Sequence, residues 1–184
     1  NAVHGTEEAW DALIDRVSAP DMTTPEALVE VGEMMDLDNY IDYQLAQVFF
    51  DNRDWPGNNA KAWRDRLTDG RFRWMLYDTD FGWGIWDDNA WEFNTLAFAL
   101  ETNGPSWPNP PWATYLLRRL LLNPEFRAAF VTRMADLANH QLQPDRIVAQ
   151  LEEVASVIAA EIPTHRERWN QWPEGWSEEI GRMR

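Results

Sequence analysis

Phe50-Asp-Asn-Arg-Asp-Trp-Pro-Gly-Asn-Asn59 and Trp74-Met-Leu-Tyr-Asp-Thr-Asp-Phe-Gly82 are the stretches on which the reading of this chain turns. The first is polar and carries Pro-Gly punctuation, which marks a loop. The second opens as a strand and ends in another loop, Asp78 to Gly84. Between the loops the pattern predicts a β-hairpin with strands over 60–66 and 71–77. Phe72, Trp74 and Leu76 share one face of it, and Thr68-Asp69-Gly70 supplies the turn.

A hairpin brings its own ends together. The residues just before its first strand and just after its second therefore become neighbours, which places Asp54, Asn58 and Asn59 beside Asp78 and Asp80. Carboxylates and carboxamide oxygens grouped in this way form a hard, all-oxygen set suited to Mg²⁺ or Mn²⁺. The plainer readings are that Asp54 caps the Pro-Gly turn and that Asn58 and Asn59 are turn formers.

Outward from the hairpin the periodicity is helical. Thr6 is the expected cap of a first helix carrying Trp10, Leu13, Ile14 and Val17. Thr24-Pro25 opens a second, running to Met35, and Asp38 is the expected cap of a third, whose face is Ile41, Leu45, Val48 and Phe49. Beyond the second loop, a Pro/Trp/Asn-rich loop over 103–110 precedes helices over 111–122, from Asn123-Pro124, and from Pro144. The fold class is mainly α with one small β-hairpin, in a single domain over residues 1–184. Trp10, Trp63, Trp74 and Trp112 are expected in the core. Trp83, Trp86 and Trp91 are expected to pack as core or lid, with a substrate cleft as the alternative. Trp169, Trp172 and Trp176 are expected to form a cluster at the tail.

Composition narrows the function. Sixteen Lys and Arg stand against 31 Asp and Glu, a net charge of −15. A body so acidic repels nucleic acid and anionic membrane, since phosphate binding runs on basic side chains. No apolar run approaches the length of a membrane span. With no cysteine, thiolate metal sites, disulfides and a Cys nucleophile are excluded, and His4, His140 and His165 lie too far apart in sequence for a ligand motif. The basic set is fifteen arginines and one lysine, Lys61.

Protein kinases use the order found here: a catalytic loop H-R-D-x-x-x-x-N, a small hairpin, then D-F-G. Arg53-Asp54 with Asn59 fits R-D-x-x-x-x-N, with Asn52 in the histidine's place, and Asp80-Phe81-Gly82 reads D-F-G. In that pattern the first Asp orients the attacking hydroxyl, while the Asn and the second Asp hold metal.

These segments, with Asp36-Leu-Asp-Asn-Tyr-Ile-Asp-Tyr43 and Leu121-Leu-Asn-Pro-Glu-Phe126, resemble the CotH spore-coat kinase family, over roughly residues 24 to 170 and most specifically over 36–82. The resemblance implies a kinase-like C-terminal lobe that transfers the γ-phosphoryl of ATP, with Mg²⁺ or Mn²⁺, to Ser or Thr of spore-coat or other exported proteins. It implies Asp54 as the catalytic aspartate and Asp78 as the main metal-binding aspartate, with Asp80 as a second acid, whereas the D-F-G analogy favours Asp80. Asn59, favoured over Asn58 by spacing, joins the metal set, and Asn58, Asn59 and Arg53 are candidates on the cofactor side. No cofactor is expected to be needed for folding. A secreted, cell-surface or spore-coat location follows from the family.

One part of the kinase pattern is missing. Kinases hold the ATP phosphates with a lysine from a β-rich N-terminal lobe, paired to a helical Glu. Lys61 follows the catalytic loop, and no strand-rich or Gly-rich segment precedes residue 36. Asn1-Ala2 also has the form of a tag-cleavage scar. The expectation is a C-terminal lobe whose N-terminal partner lobe lies elsewhere and which is inactive alone; an arginine in the lysine's role is the other option. Two rival functions remain at this level: a Trp-rich carbohydrate- or protein-binding module, and a pseudokinase scaffold.

Overall fold

The computed structural model describes residues 2–85, 87, 89–102, 107–169 and 175–184. Among them the chain is mainly helical, with one two-stranded antiparallel hairpin. Two compact units divide it, residues 1–133 and 134–184.

The first unit opens with α1 (Glu8–Ser18), α2 (Pro25–Met34) and α3 (Leu37–Phe49). Thr24 caps α2 as expected, its Oγ1 accepting the Ala27 N–H at 3.2 Å. The cap of α3 is Asp36 rather than Asp38: Asp36 Oδ1 accepts the Asn39 N–H at 3.2 Å, while Asp38 sits in the first turn. Thr6 does not cap α1; Glu7 holds that position without a side-chain cap bond.

The core of this unit is built from Leu13 and Val17 of α1, Met22, Val31 of α2, Met35, and Ile41 and Leu45 of α3. Leu117 and Leu120 of α5 (Tyr115–Leu120) and Phe126 of α6 (Pro124–Asn139) complete it. Burial of each such side chain stabilises the fold by about 1.5–3 kcal/mol. Polar groups close the helix ends inside it. Arg119 donates to the carbonyls of Val17 and Ala19, both at 2.7 Å, at the C-terminus of α1, where a cation also meets the helix dipole favourably. The fully buried Asn123 donates to the carbonyls of Met22 and Thr24 and accepts the N–H groups of Glu125 and Phe126, starting α6.

The hairpin strands are shorter than the pattern predicts. They are β1 (Lys61–Trp63) and β2 (Arg73–Met75), paired Lys61↔Met75, Ala62↔Trp74 and Trp63↔Arg73. A two-stranded hairpin alone is marginal in water. Here the free edge of β2 is closed by the start of α3. Phe72 and the Met34–Asp36 segment exchange backbone hydrogen bonds at 2.9 Å, and the Asn39 carboxamide pairs with both the N–H and the C=O of Trp74, at 2.6 and 3.3 Å. Tyr40 packs edge-on against Trp74 with ring centroids 4.5 Å apart. Trp74 is thus buried, but Leu76 is exposed, because regular pairing ends at Met75.

The tryptophans divide differently from expectation. Trp63 and Trp112 are 46% and 67% exposed. Trp63 stands on the more exposed face of β1, opposite that of Ala62, and Trp112 precedes α5 instead of lying on its apolar face. Among the described residues Trp55 is the tryptophan most completely enclosed, at 2%. After a 3-10 turn (Ala90–Glu92) comes α4 (Thr95–Leu100). Trp83 is partly exposed and Trp91 largely so, while Trp86 and residues 103–106, the first half of the Pro/Trp/Asn-rich loop, lie outside the described residues.

The second unit contains the end of α6, then α7 (Pro144–Ile158), a 3-10 turn (Ala159–Glu161), α8 (Ile162–Trp169) and α9 (Trp176–Arg182). Arg184 pairs with Glu152 at 3.1 Å. Trp169 is 56% exposed, and Trp172 lies outside the described residues. No helix of the described residues is long and apolar enough to cross a membrane.

Candidate functional site

Two loops leave the same end of the hairpin. The register ends at Lys61↔Met75, so Asn59 lies two residues beyond it on one side and Tyr77, just before Asp78, two residues beyond it on the other. Backbone hydrogen bonds then tie the loops directly. The Arg53 N–H donates to the Phe81 carbonyl at 2.9 Å, and the Trp83 N–H donates to the Phe50 carbonyl at 2.8 Å. Gly82 lies between these two bonds, where a Cβ would stand 2.4 Å from the Phe50 carbonyl oxygen. Only glycine admits that approach.

Within the first loop, the Asp54 carboxylate accepts from the side-chain amides of Asn58 at 2.7 Å and Asn59 at 2.9 Å, both on Oδ2. A carboxylate only accepts, so both amides must present nitrogen to it. That turns the Oδ1 of Asn59 to the other side of its amide, as an oxygen able to meet a cation. Within the second loop, the Asp78 carboxyl is held above its ordinary value. The first cause is its hydrogen bond with Asp80; desolvation and the charges of Asp80 and Asp54 add to it, and Lys61 opposes. Asp54, Asn58 and Asn59 are thus joined within the first loop, Asp80 acts on Asp78 within the second, and the charge of Asp54 reaches Asp78 from one loop to the other.

Arg53 goes elsewhere. Its Nε donates to Asp51 at 2.7 Å, its guanidinium lies 3.8 Å over the Phe93 ring, and Asp87 stands 4.0 Å away. Asp51 is buried and also accepts the Thr95 hydroxyl at 2.7 Å, so α4 is fastened to the loop through it. Sequence reasoning passed over Asp51 and Thr95. It also passed over the buried Gln47, whose Oε1 accepts from Asn52 at 2.8 Å. The available signal was two glutamines, Gln44 and Gln47, on the otherwise apolar side of α3, since a buried polar side chain usually has a dedicated partner.

Four non-glycine residues adopt left-handed backbone conformations: Asp51, Asn59, Asp78 and Trp83, with φ between 49° and 55°. Among the described residues these are the only non-glycine positions of that kind, and all belong to the two loops. Each costs roughly 1–3 kcal/mol and persists only where surrounding structure imposes it, a situation common at functional sites.

Among the described residues no group of three His, Asp or Glu is assembled as a metal-binding set. The donors nevertheless fit a hard divalent cation. Asp80 stands close enough to Asp78 to disfavour the charge of Asp78, and Mg²⁺ is commonly held by one or two carboxylates, with waters and substrate phosphates completing its shell. Asn59 Oδ1 adds a neutral oxygen.

No curated protein and no solved structure matches the chain. The family model described as CotH kinase protein matches residues 1–184, the whole chain. This chain belongs to the CotH kinase family.

Proposed function

We propose that this chain carries the catalytic and metal-binding half of a protein-kinase site, on a kinase-like helical lobe, and serves transfer of the ATP γ-phosphoryl to Ser or Thr of spore-coat or other exported proteins. The observation that carries the reading is the juxtaposition of Asp54, fixed by the Asn58 and Asn59 amides, with Asp78 and Asp80 across two hydrogen-bonded loops. Asp54 orients the acceptor hydroxyl and takes its proton. Asp78 and Asn59, with Asp80, would hold Mg²⁺ or Mn²⁺, which when bound supplies charge neutralisation for the phosphates. Arg53, engaged by Asp51 and Phe93, braces the loop from within. Asn58 holds Asp54 in place. Catalysis of this type is mainly positioning and charge stabilisation, and a pre-strained, cross-tied pair of loops supports it.

The chain segment ahead of the first loop is occupied by α1, α2 and α3. The proposal therefore assigns the lysine-bearing, nucleotide-gripping lobe to a segment outside these residues, and assigns little activity to this lobe by itself. The test is transfer of radiolabelled phosphoryl from ATP by a protein in which this lobe is joined to its nucleotide-binding partner lobe. Asp54→Asn and Asp78→Asn should each reduce turnover by several orders of magnitude. Unchanged turnover in both would overturn the assignment.

A further inference from the structure

We infer that Lys61 is a phosphate-contacting residue of this site, its ammonium held over the Tyr77 ring at the end of the hairpin where a phosphoryl group beside Asp78 would lie. The inference rests on the kinase reading of Asp54, Asp78 and Asp80, and gives that site a cation from the same lobe.

Lys61 is the first residue of β1 and pairs with Met75. Tyr77 is the next residue of that chain on the same side, the diagonal neighbour that a long side chain reaches across an antiparallel pair. The Lys61 Nζ accordingly stands 4.7 Å from the Tyr77 ring centroid, a cation–π contact that fixes the direction of an otherwise flexible stem. Tyr77 immediately precedes Asp78, and Asn59, two residues before Lys61, bonds Asp54. The ammonium is thus held where both loops emerge.

Its charge is uncommitted. Among the described residues Lys61 makes no ion pair, in a chain whose net charge is −15. Arg53 of the first loop and Arg71 and Arg73 of the hairpin are, by contrast, each taken up by carboxylates at 2.6–2.8 Å. An exposed ammonium stacked on an aromatic ring, beside acids but paired to none, is a mobile-headed point charge of the kind that meets phosphate oxygens. Arginines already bonded to carboxylates cannot do so without giving up part of those pairs.

The test uses the full chain and two calorimetric titrations, one with Mn²⁺ alone and one with a preformed Mn²⁺–tripolyphosphate complex. Lys61→Met should leave Mn²⁺ binding intact or stronger, because a competing positive charge is gone, and should weaken binding of the complex roughly tenfold, the loss of one charged hydrogen bond. Lys61→Arg should restore part of that loss. Equal affinity of wild type and Lys61→Met for the complex, or no binding of the complex by Mn²⁺-competent wild type, overturns the role of Lys61 and makes it at most a counter-ion of the acids. Failure of wild type to bind Mn²⁺, or equal Mn²⁺ binding by Asp78→Asn, overturns the reading of the acids themselves and this inference with it. Unchanged thermal unfolding of Lys61→Met separates these outcomes from misfolding.

Discussion

The side-chain oxygen of Asn52 accepts the backbone N–H of Asp54 at 3.1 Å, so the residue in the place of the kinase histidine directly shapes the loop that carries the proposed catalytic acid. The same carboxamide donates to Gln47 Oε1 at 2.8 Å and reaches the Asp78 carbonyl at 3.5 Å. One planar, 1% exposed group therefore joins α3, the first loop and the second. Asn52→Leu preserves bulk but orphans Gln47 and the Asp54 N–H. Leaving such groups buried and unpaired costs about 1–3 kcal/mol, and urea unfolding should show a loss of that size. Mn²⁺ affinity should fall as well, since the two loops lose a tie. A stability change within experimental error would mean that Asn52 does not hold the loops.

Gly82→Ala tests the other tie. The added Cβ would stand 2.4 Å from the Phe50 carbonyl oxygen and 3.2 Å from that of Thr79, both backbone atoms that cannot swing aside. The loops must part, and the Arg53–Phe81 and Trp83–Phe50 hydrogen bonds stretch with them. The expected loss is about 1–3 kcal/mol, the usual range for overpacking. Gly70→Ala is the control: its Cβ meets nothing within 4 Å, and its cost comes only from a left-handed φ of 67°. A Gly70 variant that weakens Mn²⁺ binding as much as the Gly82 variant would show that the approach of the loops is not what matters.

Much of this site was legible because its logic is topological. A polar loop, a strand, a turn, a second strand and a second polar loop must place Asp54 near Asp78, whatever the details of packing. The supports were illegible for the same reason. Asp51, Thr95 and Gln47 are joined by contacts between elements distant in sequence, and no spacing rule links Thr95 to Asp51. The edge of β2 is closed by Asn39, a helix residue whose carboxamide imitates a strand, a role that no spacing rule marks. Trp55 lies in a polar loop whose composition gives no sign of burial, whereas Trp63 and Trp112 looked like core. In a strand of three residues, and just ahead of a helix of six, alternation and periodicity are too short to decide which side is inside.

Alkaline pH should expose the packing of α3. Burial raises Tyr40 well above the ordinary tyrosine value, and burial likewise pushes Tyr43 up to about 12. The folded chain keeps these two phenolic protons to higher pH than the unfolded chain does. The resulting stability is complete below the ordinary value of 10.0 and is lost as pH rises through the folded values. In a titration followed by phenolate absorbance, these two groups should ionise only as the helical circular dichroism collapses. Tyr43→Phe should remove one late-ionising group and shift the collapse to higher pH. Full ionisation of all four tyrosines with the helices intact would contradict the burial of Tyr40 and Tyr43.

Divalent metal should stabilise the chain through the second loop, and the size of the effect can decide between Asp78 and Asp80. A ligand that binds only the folded state adds about 2.7 kcal/mol at one hundred times its dissociation constant, so saturating Mn²⁺ should raise Tm by several degrees and a chelator should reverse it. The charge of Asp80 disfavours that of Asp78, so neutralising either partner removes this repulsion. Asp78→Asn and Asp80→Asn should both, therefore, match or exceed the wild-type Tm without metal. With metal they should diverge. Asp78 follows the strand that Asn39 and Arg73 anchor to α3, whereas Asp80 lies farther along the loop, so Asp78→Asn should abolish the Mn²⁺ increment and Asp80→Asn should only reduce it. The opposite ranking would make Asp80 the main ligand and bring the chain closer to the D-F-G arrangement. An increment that survives both substitutions would place the metal away from these acids and remove the chemical basis of the proposed site.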